Sequence, residues 1–292
     1  MFSEAYEIAS NFTFPVVVST RYFDKTVNCI NGAFVVLNNE GWIMTVAHIV
    51  QAHIQYNHDK KALDAYKNQL ASITNDPSLS DKLKRRQKNQ LHKNQKWITN
   101  FSFWWGKDGV SLERLIVNPF ADLAVGKLSP FDPTEIKKYP TIKNPANLKI
   151  ATSLCKLGFP FHKIQATFDE NTENFTLSPG SLPIPRFPIE GIYTRNSVFI
   201  DQNDNTKKTK FIETSSPGLR GQSGGPIFDT AGNIWAIQSK TSHIPLGFNP
   251  TIKKGSQLVE ENQFLNVGLG VHPEVIVSFL TDNHIAFQLS EH

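Results

Sequence analysis

The sequence predicts a chain built mainly of short β-strands, interrupted by a pair of helices and ended by another. Three observations carry this reading. Gly32-Ala33-Phe34-Val35-Val36-Leu37, the turn residues Asn38-Asn39-Glu40-Gly41 and the run Trp42-Ile43-Met44 read as a β-hairpin. Leu63, Tyr66, Leu70 and Ile73 recur at i, i+3, i+7 and i+10, which gives a helix one apolar stripe. Val275, Ile276, Phe279 and Leu280 repeat at helical spacing behind Pro273, and proline suits a first helical turn.

The remaining elements follow in chain order. An amphipathic start over residues 3–10 precedes the strand Phe14-Pro15-Val16-Val17-Val18, and strand-like segments continue to about residue 47. Asn75-Asp76-Pro77 reads as a helix break and a new N-cap, with Pro77 in the first position of a second helix bearing Leu79, Leu83 and Leu91. The two helices form an antiparallel hairpin inserted over about 51–100. Trp97, Phe101, Phe103, Trp104 and Trp105 read as a strand that anchors it. Strands resume near Val110–Val117 and close near Leu128. Pro- and Lys-rich sequence over 129–148 reads as a linker, and a second set of strands spans about 149–270. Thr172–Pro188, with four prolines, reads as loop.

The segment that points to chemistry is Gly221-Gln222-Ser223-Gly224-Gly225-Pro226. It sets a serine on a glycine-flanked turn, where the backbone can take φ > 0 and approach a substrate closely. Such a turn can aim the N–H groups of Gly221 and Ser223 at one oxyanion. Serine is a weak nucleophile, so it needs a histidine base and a carboxylate to orient that base. His48 ends Thr45-Val46-Ala47-His48, at the point where the hairpin leaves its sheet. Asp122 sits in the apolar run Phe120-Ala121-Asp122-Leu123-Ala124-Val125, where a carboxylate is costly unless paired.

The order His, Asp, Ser, together with Thr-Val-Ala-His, Ala-Asp-Leu-Ala-Val and Gly-Gln-Ser-Gly-Gly-Pro, resembles the trypsin-like serine peptidases, in the style of the bacterial HtrA-type protease domain without a PDZ module. Leu157-Gly158-Phe159-Pro160 and Gly270-Val271-His272-Pro273 are similar to further segments of that family. The resemblance implies a chymotrypsin-like fold of two six-stranded antiparallel β-barrels. The first, over 1–128, carries His48, Asp122 and the helical insertion. The second, over 149–292, carries Ser223 and a C-terminal helix from about 273. It also implies Ser223 as nucleophile, His48 as general base and acid, Asp122 as orienting carboxylate, and Gly221 and Ser223 as oxyanion donors. Pro217 would lie at the base of the pocket for the residue preceding the cut, with Arg220, Gln238, Ser239 and Lys240 around the substrate. Pro217 replaces the aspartate of trypsin-type pockets, so a small or apolar side chain is expected there. Gln222 replaces the aspartate that pairs with a freed N-terminus, so no activation by N-terminal cleavage is expected.

With 39% hydrophobic and 19% charged residues, the composition suits a globular protein with a sizeable core. No apolar run reaches the length of a membrane span. The acidic N-terminus lacks the features of a signal peptide, and the two cysteines, Cys29 and Cys155, fit free thiols; both favour the cytoplasm, with the periplasm or secretion as the alternative if a signal was removed. No cofactor or metal is expected: His48, His53 and His58 recur every five residues and do not share a helix face.

His48 and Asp122 are 74 positions apart, and the inserted hairpin accounts for the length. Between Lys82 and Lys96 it carries +7 with no acidic residue, against +4 for the whole chain, so the basicity is local. A solvated helix face explains this as well as an acidic protein or nucleic-acid partner does. The sequence therefore supports a serine endopeptidase acting on a specific protein or peptide, or else a binding module on a protease scaffold whose catalysis is vestigial.

Overall fold

The computed structural model describes residues 1–291. Helix α1 (Ser3–Phe12) leads into β1 (Thr13–Tyr22), β2 (Val27–Val36) and β3 (Trp42–Thr45). Helices α2 (Gln51–Asn75) and α3 (Asp81–Gln90) intervene before β4 (Ile98–Trp105), β5 (Ser111–Asn118) and β6 (Leu123–Ser129). These strands form a curled antiparallel sheet in the order β4-β1-β2-β3-β6-β5. Val16, Val17 and Val18 of β1 are all buried, because β1 is covered on both faces. The turn between β2 and β3 is held by Asn38, whose Oδ1 accepts from the N–H of Glu40 (3.0 Å) and of Trp42 (3.4 Å).

The second half contains β7 (Thr141–Ile142), β8 (Ser153–Gly158), β9 (Ala166–Asp169), β10 (Asn174–Leu177), β11 (Phe187–Ile200) and β12 (Lys208–Thr214). It continues with β13 (Pro226–Phe228), β14 (Ile234–Pro245), β15 (Thr251–Lys254), β16 (Gln257–Glu260) and β17 (Phe264–Val271). Helix α4 (Pro273–Asp282) and β18 (Gln288–Leu289) end it. The order β13-β8-β11-β12-β17-β14 closes on itself through a β13–β14 pairing, while β7 and β18 extend the sheet beyond β14. Closure leaves the ring without a free edge. The expected arrangement of two six-stranded antiparallel barrels with a helical insertion and a C-terminal helix is the one observed.

The C-terminal helix starts where the sequence places it. Pro273 occupies the first turn, and His272 Nδ1 accepts from the Glu274 N–H at 3.1 Å. Its buried side is made by Ile276 and Leu280.

Several boundaries differ from expectation. The second inserted helix begins at Asp81, not Pro77, because Asp76 accepts from the N–H and the hydroxyl of Ser78 (2.8 and 2.6 Å) and holds residues 76–78 in a turn. Leu79 therefore lies outside the helix, and α3 buries no residue. The insertion stops at about residue 97, since Ile98–Trp105 is a barrel strand paired with β1 from Tyr22↔Ile98 to Val16↔Trp105. Within 172–188, read as loop, β10 pairs with β9 and β11 begins at Phe187.

Three contacts fix the insertion and the N-terminus. Asp59 of α2 is buried and its Oδ2 accepts from the Ile98 N–H at 2.8 Å, while Tyr66 meets Phe23 edge-on with ring centroids 5.5 Å apart. Helix α1 buries Ala5, Ala9 and Phe12, and packs on β8 and β13 of the second barrel. Among the described residues no helix is long and apolar enough to cross a membrane.

Candidate active site

His48 follows β3 in a single helical turn, Ala47–Ile49. Asp122 lies at the tight turn joining β5 to β6, with φ of +52°. A non-glycine residue in that region is uncommon, although aspartate tolerates it better than most. The conformation brings its carboxylate against His48. Oδ1 accepts from the His48 backbone N–H at 3.0 Å, and Nδ1 of the ring lies 3.1 Å from Oδ1 and 2.9 Å from Oδ2. Ser239 Oγ donates to Oδ2 at 2.6 Å. Burial raises the Asp122 carboxyl, but the bonds from His48 and Ser239 and the His48 charge outweigh it and hold the group below its ordinary 3.8. A carboxylate so placed fixes Nδ1 as the ring's donor, which leaves Nε2 as the acceptor.

Ser223 stands on a turn clamped by both barrels. Three consecutive carbonyls are tied back into the protein. Gly221 O accepts from the Phe159 N–H (2.8 Å), Gln222 O from Gly225 (2.9 Å) and Ser223 O from Ala33 of β2 (2.7 Å). In a trans peptide the N–H points opposite its carbonyl, so anchoring Gln222 O turns the Ser223 N–H outward. Among the described residues neither the Gly221 nor the Ser223 N–H has a hydrogen-bond partner, and Ser223 Oγ has none either. Gly221 (φ +95°) and Gly224 (φ +86°) both need a left-handed backbone. A Cβ on Gly224 would come within 2.0 Å of Ala33 O, so only glycine lets the turn dock on β2. Gln222 is fully buried and braces the turn, accepting from the Leu219 N–H at 3.0 Å.

The structure joins His48, Asp122 and Ser239 directly. Ser223 enters by two routes: the Gly224 N–H donates to Gln238 O next to Ser239 (2.9 Å), and Gly32 is wedged between Ser223 O and the side chain of Ile49.

The family profile of the trypsin-like peptidase domain matches residues 32–237, well over half of the chain, and takes in His48, Asp122 and Ser223 but stops short of Gln238, Ser239 and Lys240. The chain belongs to the trypsin-like peptidase family. Solved structures similar to it include the HtrA-type protease AlgW with a tripeptide, at 15% identity and TM-score 0.49, over 97% of this chain and 63% of that one. Another is the Rv3671c protease from M. tuberculosis in its active form, at 10% identity and TM-score 0.49, over 98% of this chain and 86% of that one. This chain thus spans less than two thirds of the length of the HtrA-type chain. A search of curated proteins returned no match.

In this trypsin-like domain a cleft of about 450 Å³ opens beside Ser223, and Pro217, Arg220, Gln238, Ser239 and Lys240 all line it. Their side chains are held in different ways. Ser239 is turned to Asp122 rather than to a substrate. Gln238 is buried against Gly218 and donates to Lys240 O (3.0 Å) and Leu269 O (3.3 Å). The Lys240 ammonium sits 4.1 Å from the Phe199 ring centroid and 4.7 Å from that of Phe211, a cation–π arrangement. Arg220 is exposed at the rim.

Sequence reasoning missed Lys156. It is 1% exposed, crosses the second barrel from β8, and donates to Ser216 O, Ser216 Oγ (3.1 Å) and Pro217 O (3.1 Å). It therefore pins the segment that walls the cleft. The available signal was a lysine inside the apolar strand Leu154-Cys155-Lys156-Leu157. Burial lowers the ammonium from its ordinary 10.5 to about 7. A lowered lysine leaves the unfolded chain holding the extra proton between these two values, so stability rises with pH across that window and the full burial cost applies below it. The slope is at most about 1.4 kcal/mol per pH unit. Lys156→Met removes it: from about pH 7 to pH 9 the unmodified protein should gain about 2 kcal/mol more unfolding free energy than the variant. Urea titration at both pH values measures this, and parallel gains would contradict it.

Proposed function

We propose that this chain is a serine endopeptidase. The reading rests above all on the Asp122 carboxylate, which grips the His48 ring at Nδ1 and its backbone N–H together, and so presents Nε2 as a base. As substrate binds, Ser223 Oγ loses its proton to His48 Nε2 and bonds to the scissile carbonyl carbon. The carbonyl oxygen becomes an oxyanion, met by the free N–H groups of Gly221 and Ser223. His48 returns the proton to the leaving amine as the C–N bond breaks, and Ser223 is left as an acyl ester. Water, deprotonated in turn by His48, hydrolyses the ester and restores Ser223. Ser223 Oγ and His48 need not be bonded before substrate arrives, because such contacts often tighten only in the complex.

A selective role suits the basic arm better than general degradation. Helix α3 buries no residue and packs on the far end of α2, where Lys84 donates to Thr74 O at 3.0 Å, so its cations are held out in solvent, a setting in which an acidic partner surface is attracted from a distance. Reaction with a fluorophosphonate probe, followed by mass mapping, tests the central claim. Ser223 should carry the adduct and Ser223→Ala should carry none. A binding module with vestigial catalysis would leave the folded wild-type protein unlabelled.

A further inference from the structure

The insertion does more than lengthen the chain between His48 and Asp122. A second cleft, of about 420 Å³, opens beside His48, and it shares no lining residue with the cleft that holds Ser223. His48 lines this second cleft and Ser223 lines the first. One wall is β1 and β2 with Ile30. The other is the first turns of α2, with Ala52 and Gln55, and the start of β4 with Ile98. Its size falls within the range of about 300–1,000 Å³ typical of ligand clefts.

The chemistry assigns the two clefts to the two halves of a substrate. The acyl half stays bonded to Ser223, so it occupies the cleft that Ser223 lines. The leaving amine takes its proton from His48 Nε2, so the half beyond the cut departs past His48. That path runs along β2, where Gly32 touches both Ile49 and Ser223 O, and into the second cleft.

We propose that α2 and β4 build a specificity pocket for the first residues after the cut, and that this pocket takes a large uncharged side chain. The proposal rests on the peptidase reading. The lining combines aliphatic side chains, Ile30, Ile49, Ala52 and Ile98, with uncharged polar ones such as Thr20 and Asn28. Its charged groups are already committed: Asp59 accepts from the Ile98 N–H and from Gln55 Nε2 (both 2.8 Å), and the Lys96 ammonium pairs with Asp24 at 3.3 Å. A charged guest would meet no free partner there, whereas an uncharged one would gain the aliphatic side chains.

Two variants test this with internal controls. Ala52→Phe should fill the cleft. On peptides with leucine or phenylalanine directly after the cut, kcat/KM should fall at least about tenfold. An activated ester of the same acyl part, which has no peptide beyond the cut, should be hydrolysed at the unmodified rate. Ile30→Glu, at a site 44% exposed in the unmodified protein, should shift a peptide library toward arginine or lysine after the cut. Equal loss on ester and peptide by Ala52→Phe, or an unchanged library profile in Ile30→Glu, would overturn the pocket assignment while leaving the peptidase reading intact. Failure of the wild type to react with the fluorophosphonate would instead remove the peptidase reading and this one with it.

Discussion

Ser223→Ala is expected to lower kcat on a peptide substrate by roughly 10⁶, and His48→Ala by a similar factor. The double variant should be scarcely worse than either single one, because nucleophile and base act as one unit and the second loss has nothing left to remove. The alanine variant keeps both backbone donors, since the carbonyls of Gly221, Gln222 and Ser223 stay anchored by Phe159, Gly225 and Ala33. KM should therefore change little, and some rate above the uncatalysed reaction should persist. Burst and steady-state kinetics, with circular dichroism as a check on folding, measure this. Multiplicative losses in the double variant would show that Ser223 and His48 work independently and would sink the proposed mechanism.

Asp122→Asn should cost on the order of 10⁴ in kcat. The asparagine side chain fits the same space, and its oxygen can still accept from the His48 backbone N–H. Its amide, however, offers a donor where the carboxylate offered an acceptor. The Nδ1 position is then driven to accept, Nε2 carries the proton, and the base is lost. The charge that stabilises the imidazolium goes with it. Ser239→Ala should cost far less, since it removes one hydrogen bond from Asp122 Oδ2 and leaves both His48 contacts in place. The carboxyl is held below its ordinary range, so its stabilising contribution is present above that range and fades as pH falls through the lowered folded value. Acid unfolding profiles should show this loss in the wild type and not in Asp122→Asn. If Asp122→Asn and Ser239→Ala slow turnover equally, the two residues would be simple packing partners.

Much of the fold was legible because local patterns and tertiary packing agree. The β2–β3 hairpin, the helix from Pro273 and the stripe through Leu63 and Tyr66 each carry a complete local signal of periodicity and turn residues. The basic arm was legible as charge. What was not legible depended on competition between local signals. Pro77 suits a helix start, but the Asp76 side chain captures Ser78 first and delays the helix to Asp81. The aromatic run ending at Trp105 was legible as a strand, but not its partner β1, some eighty residues earlier in the chain. Ser239 is one serine among many in sequence, and only the approach of β14 to the β5–β6 turn gives it Asp122 as a partner.

The sequence by itself determined the family, the strand-rich architecture and the identity of His48, Asp122 and Ser223 as candidates, because short motifs carry the backbone demands of their turns. Tertiary structure alone decided how those residues meet. Gly224 can dock on Ala33 only because the two barrels face each other, and Lys156 becomes a brace only because β8 lies across the ring from Ser216 and Pro217. The second cleft exists only because α2 packs on β4 and so faces β1 and β2 next to His48. Such contacts join residues far apart in the chain, and their energies come from burial and geometry that no local pattern encodes.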